Sequence, residues 1–232
     1  MKIAIMQPYF LPYIGYFQLI NHVDKFVILD DVQFINKGWI NRNYILQNGK
    51  PLMFTIPVSK KSSRSLINEI SVFYESENIN KFLKTIKHSY SEAIYYNNVF
   101  PMLKNLFENN CSCISSLAVK SLLSVNKYLN IKTEIIESST IYNNQQQKGE
   151  YKIIDICKKE GADEYFNLSG GIGLYSKEVF KNEDIELKFI KTKEIKYKQF
   201  QNEFVGPLSI IDNLMFNSPE EVKNSLSEFE IL

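Results

Sequence analysis

Residues 2–6 open on Lys2 and continue as the apolar run Ile3-Ala4-Ile5-Met6 directly into Gln7-Pro8, the pattern of a short buried strand. From Leu11 to Val23 the apolar residues Tyr16, Leu19, Ile20 and Val23 recur at helical spacing, and Pro12 is tolerated in a first turn. Lys25 to Leu29 is a second apolar run, stopped by Asp30-Asp31. Strand, helix and strand in such quick succession predict the βαβ unit of a parallel α/β sheet.

Beyond Asp31 the period is lost until Tyr44-Ile45-Leu46 and Leu52 to Val58, which read as two strands around the hairpin dipeptide Asn48-Gly49. Ser59 to Ser65 is a polar loop with Lys60, Lys61 and Arg64, and Leu66 to Phe73 reads as a further strand. The middle of the chain, about 79–130, is mostly helical, with a break expected near Pro101. Lys132 to Ile136 then reads as strand, Tyr151 to Glu160 as helix and Glu164 to Phe166 as strand. A glycine-rich loop, Ser169-Gly170-Gly171-Ile172-Gly173, precedes a helix from Leu174 to Phe180, and Glu186 to Ile190 is the closing strand. Helices are expected over Ile210 to Phe216 and Pro219 to Leu226. The expectation is one α/β domain over residues 1–232, a parallel Rossmann-like sheet with a helical insertion and C-terminal helices.

Composition narrows the function classes. The 232 residues are 44% hydrophobic, which excludes a disordered tail, and 27 basic against 26 acidic residues leave no basic footprint for nucleic acid. Cys111, Cys113 and Cys157 form neither a plausible disulfide framework nor a zinc motif, and only two histidines are present, so no metal site is expected. No apolar run approaches the roughly 18 residues of a membrane span. A soluble, cytoplasmic protein is the expectation.

Three segments carry candidate chemistry, each placed where a predicted strand ends. The first is Gln7 to Tyr16, at the strand-to-helix crevice where open α/β sheets bind ligands. Gly15, costly inside a helix, reads either as a point of close ligand approach or as a packing contact. The second runs from Asp30 to Asn43 and holds two carboxylates, Lys37, Arg42, three asparagines and Trp39, the sole tryptophan. Asp30 or Asp31 could serve as a general base, Lys37 and Arg42 could hold phosphates, and Trp39 could stack on a base or sugar. Nine of the 31 aromatic residues fall in the first 44 positions, against about six expected from length, which favours an aromatic-lined pocket. The third segment is Ser169-Gly170-Gly171 through Tyr175, which reads as an anion-binding loop or as a plain turn. It lacks the Gly-Lys-Ser/Thr of a Walker loop and the spacing of a dinucleotide fingerprint.

Gln7-Pro8, Pro12, Gly15-Tyr16, then Asp30-Asp31-Val32-Gln33-Phe34, then Gly38-Trp39 and Asn41-Arg42-Asn43 together resemble the WbqC-like protein family. Phe54 to Val58, Ala162 to Tyr165 and Leu208 to Asp212 also resemble it, so the likeness spans nearly the whole chain. The resemblance implies bacterial O-antigen and surface-glycan biosynthesis, with N-acyl or glycyl transfer to an amino sugar. A more distant likeness, strand then Pro12-x-x-Gly15-Tyr16, is to nucleotidylyltransferases with their HIGH motif. Pro12 and Tyr16 stand where that motif has histidines, so the likeness implies the fold and the nucleotide-shaped crevice without the reaction.

The combined expectation is a transferase acting on the amine of a nucleotide-linked amino sugar. Asp31, Asp30 and Gln7 are its candidate catalytic residues. Pro8, Gly15, Tyr16, Gln33, Lys37, Trp39, Asn41, Arg42, Asn43, Ser169, Gly170, Gly171 and Tyr175 are its candidate binding residues. No resident cofactor is implied. An acyl carrier protein thioester, an aminoacyl-tRNA and ATP with a free acid all fit as the acyl source, and the transfer RNA is the one nucleic acid in view. Two other readings compete: an ATP-dependent ligase or nucleotidylyltransferase-like enzyme, and a non-catalytic sugar-nucleotide binding protein.

Overall fold

The computed structural model describes residues 1–59, 64–74, 76–108, 110–200 and 203–232. Lys60 and Lys61 of the expected basic loop lie outside the described residues. The first βαβ unit forms as its hydrophobic pattern requires: β1 (Lys2–Met6), α1 (Ile14–His22) and β2 (Lys25–Ile28), with Ile3 to Met6 in parallel register with Lys25 to Ile28. β3 (Arg42–Gln47) and β4 (Lys50–Thr55) make a separate antiparallel hairpin. Its turn places Asn48 and Gly49 at φ 50° and 71°, the left-handed pair that an Asn-Gly turn supplies.

Three helices follow, α2 (Ser76–Tyr90), α3 (Tyr96–Asn105) and α4 (Ile114–Tyr128). β5 (Glu134–Ile136), α5 (Gly149–Glu160), β6 (Glu164–Leu168), α6 (Lys177–Lys181) and β7 (Glu186–Thr192) restore the α/β rhythm. The chain ends with α7 (Ile210–Phe216), α8 (Pro219–Ser225) and β8 (Phe229–Ile231). The sheet order is β5-β2-β1-β6-β7-β8, parallel except for β8, which pairs antiparallel with β7. This is a Rossmann-like α/β fold. The chain builds outward from β1 first through β2 and β5, then on the other side through β6 and β7. The topological switch point therefore lies between the C-terminal ends of β1 and β6.

Side-chain alternation along the strands divides the core in two. Ala4, Phe26, Ile28, Phe166 and Ile190 face one large cluster with α1, α4, the hairpin and α7. Ile3, Ile5, Val27, Leu29, Tyr165 and Phe189 face a smaller one with α5 and α6.

Four expectations are corrected. Leu66 to Phe73 is no strand. It contains a 3-10 turn, Ile67–Glu69, and makes isolated bridges, Gln33 with Leu66 and Val58 with Val72, in place of a strand ladder. Pro101 lies inside α3, and the helical breaks fall on either side of that helix, at residues 91–95 and between Asn105 and Ile114. The loop after β6 coils as a 3-10 turn, Ser169–Leu174, before the short α6, so no helix starts at Leu174. Pro12 precedes α1 rather than lying in its first turn.

Gly15 has a packing reason. A Cβ there would stand 2.4 Å from Thr192 Oγ1 at the end of β7 and 2.4 Å from the Tyr13 ring. Helix propensity alone makes Gly15→Ala stabilising by about 1 kcal/mol, but overpacking of this kind costs about 1–3 kcal/mol. The expected result in urea unfolding is a net loss of stability. A variant as stable as the wild type would show that Tyr13 and Thr192 give way freely.

Candidate functional site

The C-terminal ends of the parallel strands bring all three predicted segments to one edge of the sheet. Gln7 follows β1, the acid pair follows β2, and Ser169-Gly170-Gly171 follows β6. What each side chain does there differs from residue to residue.

Asp30 and Asp31 leave on opposite faces, as alternation requires, and each is taken up by the protein. Asp30 turns to the α4 face, where its carboxylate accepts from Ser115 Oγ at 3.0 Å, Ser138 Oγ at 2.8 Å and the Ser139 amide at 3.2 Å. Burial pushes the Asp30 carboxyl above its ordinary value, and these serine bonds oppose the shift. Asp31 turns to the α5 face, accepts from Ser139 Oγ and pairs with Lys152 Nζ at 2.8 Å. The two side chains of that ion pair are only 1% and 5% exposed. The carboxylates thus tie the end of β2 to one helix on each face and to the turn after β5. Neither opens into the crevice.

Gln7 is placed differently. Its backbone carbonyl accepts from the buried Tyr16 hydroxyl at 2.7 Å, while its half-buried carboxamide has no protein partner among the described residues. Pro8 is buried beside it. Tyr9 stacks obliquely on Tyr16 with ring centres 5.7 Å apart. Burial pushes the Tyr9 phenol above its ordinary value, and the nearby Tyr13 and Tyr175 phenols push the same way. Burial likewise raises Tyr13 and Tyr175. These phenols stay protonated at neutral pH and act as hydrogen-bond donors. Tyr175 meets Tyr165 and Phe180 edge-on at 5.8 and 5.9 Å. Gly171 is pressed against Asn167, Ser169 is half-buried and Gly170 is exposed.

An aromatic cleft of about 540 Å³ adjoins this crevice, lined by Tyr9, Pro12, Tyr13, Trp39, Asn43, Tyr44, Pro51, Gly206 and Pro207. Trp39 is 47% exposed, lies 5.9 Å from the Tyr44 ring and carries the Arg42 guanidinium over its face at 5.5 Å. Arg42 Nε also donates to the Gly38 carbonyl at 2.8 Å, and no carboxylate among the described residues pairs with it. Lys37 is exposed on the same loop, at a φ of 62°. The cleft therefore offers flat apolar faces with a cation at its rim, a surface suited to planar rings bearing negative charge.

The remaining predicted residues are braces. Asn41 Nδ2 donates to the Ile56 carbonyl at 2.7 Å. Asn43 donates to the Leu11 carbonyl at 2.9 Å and accepts from the Tyr44 amide at 2.8 Å, so both ends of its amide are committed although it lines the cleft. Gln33 is exposed and bridges to Leu66. Tyr16, in the place of a HIGH-motif histidine, is fully buried. His22 sits late in α1 between Phe166 and Phe229, and Cys113 caps α4 through Ser116.

A family profile described as the WbqC-like protein family matches residues 7–224. The chain belongs to the WbqC-like family. It is also 27% identical over 227 residues to the uncharacterized protein Rv1507c of Mycobacterium tuberculosis, covering 97% of both chains. No solved structure matches it. Among the described residues, no group of acidic, histidine and cysteine side chains is arranged to hold a metal ion, and no helix is long and apolar enough to cross a membrane.

Several residues of this WbqC-like site escaped the sequence pattern. Tyr9, Tyr13 and Tyr44 were indistinguishable from core aromatics, whereas the Gly206-Pro207 dipeptide carried a readable turn signal. Lys152 stands on the apolar side of α5, four positions before Ile156, and a lysine there asks for a buried partner. Removing that lysine strands the Asp31 charge. Lys152→Met should cost about 3–5 kcal/mol in urea denaturation, and adding Asp31→Leu should recover much of the loss. A single variant within 1 kcal/mol of the wild type, as an exposed pair would give, would contradict the anchoring role.

Proposed function

We propose that this WbqC-like chain binds a nucleotide-linked amino sugar in the aromatic cleft and acylates its amine, an aminoacyl group such as glycyl being transferred, in bacterial surface-glycan assembly. The observation that carries this reading is Arg42 lying over the exposed Trp39 in a tyrosine- and proline-lined cleft, next to the switch-point crevice. Trp39 and Tyr44 take the flat rings of the ligand, and Arg42 with Lys37 takes the diphosphate. The sugar amine reaches the crevice at Gln7. There its nitrogen attacks the acyl carbonyl as the free amine, the bond to the donor's leaving group breaks, and one amine proton passes to the departing group or to water. In this reading the Gln7 carboxamide and the protonated Tyr9 and Tyr13 phenols serve as donors to the developing oxyanion.

Asp30 and Asp31 act in this reading as anchors of the crevice wall. An amine resembling an α-amino group titrates at about 7.7–8.0, so an uncharged fraction is present at neutral pH and a carboxylate base is not essential. The acyl donor is a carrier thioester, an aminoacyl-tRNA or ATP with the free acid, and activity with each separates them.

The test uses calorimetry with UDP-glucosamine, then mass detection of the amide with glycine presented in each of the three activated forms. Arg42→Ala should weaken UDP-glucosamine binding by about 10- to 100-fold, as the loss of a charge-assisted bond of about 1.5–3 kcal/mol implies. It should cost about 1 kcal/mol or less in stability, since the guanidinium gives up one backbone hydrogen bond and an exposed cation–π contact. Unchanged affinity in Arg42→Ala would remove the phosphate role. Tight binding with no amide from any donor would favour a binding protein, and pyrophosphate release from ATP would favour a ligase.

A further inference from the structure

A second cavity of about 580 Å³ lies across Tyr13 from the aromatic cleft, and the two share Tyr13, Gly206 and Pro207. Their common wall belongs to the segment between β7 and α7. Its described residues form no helix or extended strand, so something other than a backbone ladder must fix them.

The fixing group is a carboxylate. Asp212, on α7, is fully buried, and among the described residues no cation pairs with it. Its Oδ1 accepts from Tyr197 hydroxyl at 2.7 Å and from Gln199 Nε2 at 2.6 Å, and its Oδ2 accepts from Tyr90 hydroxyl at 2.8 Å. Gln199, also fully buried, donates to the Val205 carbonyl at 3.0 Å and accepts from the Val205 amide at 2.7 Å. One carboxylate and one carboxamide therefore hold residues 197, 199 and 205, immediately before the Gly206-Pro207 wall. α7 itself is registered on the opposite side of the cleft. Ile210 amide donates to the Pro12 carbonyl at 2.8 Å, Ser209 Oγ to the Leu11 carbonyl at 2.7 Å and Ser209 amide to the Tyr44 carbonyl at 2.8 Å.

We infer that Asp212 and Gln199 are positioning residues for the ligand cleft: they set the Gly206-Pro207 wall against the Tyr9–Tyr13 loop and the β3–β4 hairpin. Gln199 lines neither of the two cavities, so any effect it has on a ligand there runs through the wall. Tyr90 donates to the same carboxylate from α2 and accepts from the Leu46 amide at 2.8 Å, and it too lines neither cavity. It serves as the control, since it shares the carboxylate but its hydroxyl bonds to Asp212 and Leu46 and to none of residues 203–208. The ligand arm of the inference rests on the function proposed above, and the wall-position arm does not.

The experiment compares full-length Gln199→Leu and Asp212→Asn with Tyr90→Phe. Hydrogen exchange is followed at residues 203–208, UDP-glucosamine affinity by calorimetry, and melting temperature alongside. Gln199→Leu and Asp212→Asn should speed exchange at Val205 and Leu208 at least tenfold and weaken the probe about tenfold. Tyr90→Phe should lower the melting temperature while leaving both readouts within about twofold of wild type. Unchanged exchange at 203–208 in Gln199→Leu, or in Asp212→Asn should the first variant not fold, would overturn the inference. So would an equal effect of Tyr90→Phe on exchange and affinity, which would reduce the network to general stability. If the wild type does not bind the probe, the proposed function fails and the exchange comparison alone decides the positioning role.

Discussion

The site depends on one residue held in an unfavourable backbone conformation. Leu11 has φ 47°, the left-handed region that costs a side-chain-bearing residue about 1–2 kcal/mol. The surroundings over-determine it. Its amide donates to Ser121 Oγ of α4 at 3.2 Å, and its carbonyl accepts from Asn43 of β3 and Ser209 before α7. Phe10 amide, one residue earlier, donates to the Ile40 carbonyl at 2.9 Å. Segments from three separate parts of the sequence, 40–43, 121 and 209, therefore converge on the turn that follows β1. That turn projects Tyr9 and Tyr13 toward the sheet edge and keeps Leu11 in the core.

This convergence explains why the cleft forms where it does. A bare βαβ unit would leave the β1–α1 crevice open to water. Here the hairpin lends Tyr44 and the preceding loop lends Trp39, with Arg42 at the first position of β3 lying over it, while the segment before α7 lends Gly206 and Pro207. The acid pair stabilises the neighbouring rim by fastening β2 to α4 and α5. The site is thus assembled from an α/β frame that supplies the edge and from insertions that supply its walls. Such a division lets one frame host different ligands through changes in loops.

The frame was legible in the sequence because its signals are local. Unbroken apolar runs gave β1 and β2, Asn48-Gly49 gave the hairpin, and helical spacing gave α5 and α7. The walls were less legible because they depend on pairings between distant residues. Asp30 and Asp31 looked like free acids, since nothing near them in sequence announces Ser115, Ser139 or Lys152. Asn41 and Asn43 looked like ligand donors for the same reason, and the structure spends them on the Ile56 and Leu11 carbonyls. Gly15 could be read as a ligand contact or a packing contact, and the sequence could not choose because Thr192 is remote in the chain yet adjacent in the fold. Trp39 and Arg42 are candidate residues that the fold does bring together, stacked where the loop enters β3. β8 was missed: at three residues it is too short for a period, and its pairing with β7 is long-range.

The central claim is that ligand enters the cleft at Trp39. As the sole tryptophan, Trp39 reports on that cleft without interference from any other indole. The direct measurement is the intrinsic fluorescence of the wild-type chain during titration with UDP-glucosamine, read beside calorimetry on the same samples. The account predicts a saturable change in Trp39 emission with the same dissociation constant as the calorimetric one. Calorimetric binding with Trp39 emission unchanged through saturation would place the ligand elsewhere and contradict it.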